Sequence, residues 1–188
     1  MGSQVHDNGW ISLDVPAEWE GRARAIRAER DQQYDNIYPE RETDARWVGE
    51  LGEIAFRSWL KHRGCHDFQW IQDDAAGKPD FILGRDVTVG VKTVKRKVAP
   101  RSGYTMQITA QHAHEPVQQF FFLTYEFQRR VMWLLGGVAR DLFLDRADFF
   151  KDGDWVHPNY QVRGHDIYNA DMGHFTPPDV WLQQVLAI

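Results

Sequence analysis

Residues 77–97, GKPDFILGRDVTVGVKTVKRK, contain two short apolar runs around a turn, and each run carries one out-of-place ionisable residue, Asp80 in the first and Lys92 in the second. Two chemistries suit such a pair. One is a surface salt bridge, which contributes about 0–1 kcal/mol. The other is phosphodiester hydrolysis: a carboxylate holds a hard divalent cation, and the lysine orients or activates the attacking water. Gly90, two residues before the lysine, adds a question of its own. Glycine weakens a strand interior and often marks the close approach of another group.

Whether Asp80 and Lys92 meet depends on the strands that carry them. Side chains alternate along a strand, so Phe81 and Leu83 share one face, and so do Val87, Val89 and Val91. Burying both sets together requires Phe81 opposite Val89 and Leu83 opposite Val87, joined by the three-residue loop Gly84-Arg85-Asp86. A two-residue loop would set Thr88 beside Phe81 and turn the wrong face inward. The favoured register places Asp80 against Gly90, with Lys92 one step along the same face, so the acid and the lysine share a patch.

The surrounding chain must hold that hairpin. Residues 16–34 read as a helix, with Pro16 at its first turn and Trp19, Ala23 and Ile26 at helical spacing. A second helix is expected over about 44–62, capped by Thr43 or Asp44, with Trp47, Val48, Leu51, Ile54, Ala55, Ser58 and Trp59 inward and Gly64 as its stop. Strands are expected at 68–72, 79–83, 87–95 and 104–109, and the strongest pair at 118–127 and 130–138. Residues 140–150 read as a short helix, 151–179 as irregular chain, and 180–188 as a terminal helix or strand. This order implies one α+β (α/β-like) domain over 1–188, with a helical N-terminal segment at 16–34, a core at 44–150 and an irregular C-terminal segment at 151–188.

The order Pro79-Asp80, spacer, x-x-Lys92 resembles the core motif of the PD-(D/E)XK nuclease superfamily. The preceding helix, VGELGEIAFRSWLKHRG, resembles the helix that carries a Gly-Glu pair in that superfamily, here Gly52-Glu53. The resemblance covers about residues 44–97. It implies a restriction-endonuclease-like mixed β-sheet flanked by helices. It also implies Asp80 as central metal ligand, Glu53 as helical acid, Lys92 as catalytic lysine and the Val91 carbonyl as a further ligand. The departure is Gly90, because the superfamily has Asp or Glu there. Either another acid supplies the ligand, or the site is inactive. Glu50, one helical turn before Glu53, is the replacement the sequence offers. The plain alternative for these glutamates is a solvated stripe with a Glu53–Arg57 ion pair.

Composition limits the rest. The chain has 188 residues, 43% of them apolar, with eight tryptophans, which argues for a packed core. Neither a transmembrane run nor a signal peptide is evident, and one cysteine, Cys65, fits a reducing cytoplasm. The net charge of −5 argues against bulk nonspecific binding to nucleic acid. Residues 85–101 nevertheless concentrate Arg85, Lys95, Arg96, Lys97 and Arg101, a cluster able to grip phosphates or simply a solvated basic loop. His62, Cys65 and His66 lack a second ligand pair for zinc and read as a helix end. His112 and His114 read as loop residues, Gln107 as a strand residue, and Tyr125, Trp133 and the Phe120–Phe122 run as core.

The resulting expectation is a Mg²⁺- or Mn²⁺-dependent nuclease that hydrolyses phosphodiester bonds of nucleic acid, with DNA as its partner and no membrane, and with a homodimer among the assemblies the resemblance suggests. The alternative is a nuclease fold without catalysis, serving nucleic-acid binding or assembly in a phage or defence setting.

Overall fold

The computed structural model describes residues 2–33, 45–72 and 78–187. Its strands and helices follow in chain order: β1 (Ser3–Val5), β2 (Ile11–Asp14), α1 (Ala17–Gln33), α2 (Val48–His62), β3 (Phe68–Trp70), β4 (Phe81–Leu83), β5 (Val87–Arg96), β6 (Thr105–Thr109), α3 (Ala110–Ala113), β7 (Gln119–Glu126), β8 (Val131–Ala139), α4 (Arg140–Arg146), β9 (Asp148–Phe150), β10 (Trp155–His157), β11 (Tyr160–Gln161), β12 (Ile167–Asp171) and α5 (Pro178–Leu186).

A seven-stranded mixed sheet in the order β1-β2-β8-β7-β5-β4-β3 forms the centre. The β5–β7 pair is parallel and every other neighbour is antiparallel. The register deduced from burial holds: Phe81 lies opposite Val89 and Leu83 opposite Val87. Alternation along β5 and β7 then builds two cores. Val87, Val89, Val91, Phe121, Leu123 and Tyr125 pack with α2 on one face. Phe120, Phe122, Trp133 and Leu135 pack with Met106, Ile108, Phe143 and Met172 on the other. The latter face is covered by a second sheet, β6-β12-β9.

Several expectations need correction. Helix α2 begins at Val48 rather than near 44, and Trp47 at its N-cap makes no side-chain capping bond; Thr43 and Asp44 lie outside the described residues. Its burial extends beyond one stripe, because Phe56, Glu50 and Glu53 are covered too. The segment 151–188 is not irregular throughout, since β12 is the central strand of the second sheet. Two strands also precede residue 16. These pieces are three to five residues long, too short for periodicity to register, and their order depends on partners distant in sequence. Residues 180–188 resolve as helix α5 up to Leu186. No described helix is long and apolar enough to cross a membrane.

Candidate active site

The site forms where β4 ends and β5 continues. Pairing with β4 stops at Val89, so from Gly90 onward β5 has no strand on that edge among the described residues. Asp80 fills the end of the ladder. Its amide donates to the Val89 carbonyl at 3.0 Å, and its carboxylate Oδ2 accepts from the Val91 amide at 2.6 Å. The residue thus brackets Gly90 from both sides. The N–H and C=O of one residue in an extended strand point to the same edge, so the Val91 carbonyl faces the same opening. Asp80 is partly buried, and its carboxyl is pushed up to about 7, first by desolvation and then by the negative charge of Glu53; Lys92 and the Val91 amide act in the opposite sense.

Lys92 does not pair with Asp80. Its Nζ bonds Glu115 Oε2 at 2.7 Å in a mostly covered pair, while His112 Nε2 lies 3.8 Å from the other oxygen of Glu115. Thr109 caps the short helix α3 that carries His112, so that histidine belongs to an ordered turn rather than an open loop. Glu115 was not among the sequence candidates. It sits at the end of QHAHE, where only the histidines carry a recognisable signal, and it reaches Lys92 across 23 residues of chain.

The helical acids are held from the other face. Arg30 of α1 donates to Glu50 Oε1 at 2.9 Å and to both oxygens of Glu53 at 3.0 and 3.2 Å. Trp70 Nε1 adds a bond to Glu53 at 2.7 Å, and Arg27 lies 3.0 Å from Glu50 Oε1. Both glutamates are almost fully buried, at 2% and 5% exposure, which excludes the solvated stripe. The Glu53–Arg57 pair is replaced as well, because Arg57 lies over the Trp70 ring at 5.3 Å. Burial raises the Glu50 carboxyl, with Arg27 the largest opposing influence, and Glu50 Oε2 is buried without a hydrogen-bond partner. Gly52 explains the close approach of the helix: a Cβ there would stand 1.8 Å from Thr93 Oγ1 of β5.

Asp80, Val91, Lys92, Glu50, Glu53 and Glu115 line one cleft of about 410 Å³. No three described His, Cys, Asp or Glu side chains group tightly enough to hold a metal ion by themselves. Glu50, the replacement the sequence offers for the acid missing at Gly90, does not stand where a Gly90 side chain would point. A Cβ on Gly90 would point at Phe120 Cδ1, 3.2 Å away, and at Lys92 Cε, 3.4 Å away. That is the face of β5 opposite α2, and the acid on that face is Glu115.

The basic run divides. Arg96 is half-buried, donates to the Thr105 carbonyl at 2.6 Å and lies 5.3 Å from the Tyr104 ring centre; burial lowers its pKa. Lys95 lies over Phe127 at 4.6 Å. Lys97 and Arg101 are exposed. Arg85 belongs to the turn at the opposite end of the ten-residue strand β5, whose nine steps from Val87 to Arg96 span about 30 Å at strand rise, so it stands apart from the cluster. Cys65 is buried in the core beside α2, while His62 and His66 are exposed.

No protein-family model and no curated protein matches this chain.

Proposed function

We propose that the protein is a metal-dependent nuclease with a restriction-endonuclease-like fold, hydrolysing phosphodiester bonds of nucleic acid, with DNA as the expected substrate. One observation carries the reading: Asp80, the Val91 carbonyl, Glu53 and Lys92, placed by α2, β4 and β5, converge on one cleft. The donors are hard oxygens, which suit Mg²⁺ or Mn²⁺. The unpartnered Glu50 Oε2 and the raised Asp80 carboxyl fit a site whose negative charge calls for a cation. Asp80, Glu53 and the Val91 carbonyl would hold it, with water and substrate oxygens completing the set. A bound divalent cation polarises the scissile phosphate and acidifies its water.

The chain's own groups do the rest. Glu115 fixes the Lys92 ammonium at the mouth of the cleft, where it orients the nucleophile and offsets charge on the phosphate. Arg30 holds Glu53 in one rotamer, so the helical acid is placed before substrate arrives.

The test is cleavage of plasmid and of linear single-stranded DNA with Mg²⁺ or Mn²⁺, with and without EDTA. Wild type should cleave, EDTA should stop it, and Asp80→Asn should abolish it while preserving the fold. Full activity in Asp80→Asn would refute the assignment. One feature favours a second reading: Arg27 and Arg30 already neutralise Glu50 and Glu53, and Gly90 removes an acid. A noncatalytic binder would shift DNA in a gel and cleave with none of Mg²⁺, Mn²⁺ or Co²⁺.

A further inference from the structure

A second cavity, of about 720 Å³, adjoins the cleft where β5 runs out under the small sheet. Lys95 lines both. The two are also joined by a cross-strand row on β6-β12-β9. Gln107 in the cleft is registered with Asn169 in the cavity, and Asn169 in turn with Asp148, also in the cavity. Cross-strand partners share a face, so these three form a polar track leading away from Lys92.

Asn169 is the telling residue. It is 7% exposed and lines the cavity, so what surface it keeps opens to whatever the cavity holds. The cavity around it is mixed in character. Tyr104, Phe150 and Val156 give it apolar surface, and Lys95, Arg96 and Lys97 also line it. The cations call for an anion, the flat apolar walls for an aromatic ring, and the amide beside the Asp148 carboxylate for a ring edge with both donors and acceptors. A nucleotide has all three features.

We infer that this cavity holds a nucleotide of the substrate strand close to the scissile phosphate, with its base bonded by Asn169 and its phosphate met by Lys95 and Lys97. The inference rests on nucleic acid being the substrate. Lys92 to Arg96 spans four strand steps, about 13 Å, so the bound nucleotide is a near neighbour of the reacting one. Arg96, tied to Thr105 and Tyr104, forms the floor rather than a mobile phosphate contact.

The experiment measures fluorescence anisotropy of a labelled single-stranded 12-mer in EDTA, where no hydrolysis occurs. Failure of the nuclease reading would therefore appear in the cleavage assay and not here. Removing one base at a time to leave an abasic site should reveal one position at which wild-type affinity falls about tenfold, the loss expected when a stacked base is removed. Asn169→Ala should bind the intact 12-mer more weakly than wild type and lose clearly less than wild type does at that abasic position, because only the contact of the base with the apolar walls is left to lose. Deoxy and ribo versions of the 12-mer identify which strand chemistry the cavity accepts. An abasic scan with no sensitive position overturns the inference using wild-type protein alone. So does an abasic loss of equal size in a folded Asn169→Ala protein, or binding of an acidic peptide in place of the oligonucleotide.

Discussion

The two walls of the cleft hold acids in opposite ways. On the helix wall, Glu50 and Glu53 are buried and neutralised by Arg27 and Arg30. On the strand wall, Asp80 has a backbone amide as its bonded partner and carries a raised carboxyl. A charge that is matched at short range stabilises the fold and is costly to expose. A charge left partly unmatched is available for a ligand. The comparison teaches that the two walls would serve a cation differently: Arg30 holds Glu53 in place beforehand, while Asp80 keeps a charge that the fold leaves to a ligand.

The contrast can be broken most severely at Arg30. Arg30→Met leaves two buried glutamates short of countercharge and should cost about 3–5 kcal/mol of stability in urea unfolding. A cost below about 1 kcal/mol would mean that the helix wall is not an ion-pair core. Next, Lys92→Ala should reduce the cleavage rate at least about a hundredfold, the scale of losing one electrostatic stabiliser in a site, with oligonucleotide affinity in EDTA essentially unchanged. A loss of affinity alone would make Lys92 a phosphate contact.

A smaller effect is expected one step removed. Glu115→Gln frees the lysine and should slow cleavage about 10–100-fold, as loss of an orienting partner does, with little change in melting temperature. Gly90→Asp should partly rescue Glu115→Gln, because its carboxylate would stand beside Lys92 Cε, and should not rescue Glu53→Gln. Equal rescue of both would place Glu53 on the Lys92 face, contrary to the geometry above.

The strand wall also predicts a pH dependence. The Asp80 carboxyl sits at about 7 in the fold against an ordinary 3.8. Between those values the folded chain retains a proton that the unfolded chain has released, so stability falls as pH rises across the window. Asp80→Asn should flatten that slope in melts taken from pH 4 to 7. The proton must also leave before a cation binds, so Mn²⁺ affinity measured by calorimetry should rise through the same window. The smallest effect belongs to Gly90→Ala. Relief of the strand glycine, worth about 0.5–1 kcal/mol, is opposed by the tight contact with Phe120, and the net change in stability should be near zero.

Much of this site was legible in the sequence. The Phe81/Leu83 and Val87/Val89 pattern has only one register that buries both apolar sets, and that register brings Asp80 and Lys92 to one cleft. Helix α2 was legible from its apolar spacing, although its start was displaced. The partners of the charged groups were not legible. Arg30 lies 20 residues from Glu50 and 23 from Glu53, Glu115 lies 23 from Lys92, and no short-range pattern links them. Asp80 escaped the simple register too, since its amide bonds the Val89 carbonyl and its carboxylate the Val91 amide.

The sequence by itself determined which residues face inward along each long strand and helix, because alternation and helical period are local properties of the backbone. It therefore determined the β4–β5 hairpin, the aromatic β7–β8 core and the patch shared by Asp80 and Lys92. Tertiary structure decided which acids keep their charge available, because that depends on cations arriving from elsewhere in the chain. It also decided what occupies the face of Gly90. The ring of Phe120 comes from β7, a strand that joins β5 only through a long parallel connection, and only the closed sheet brings it there.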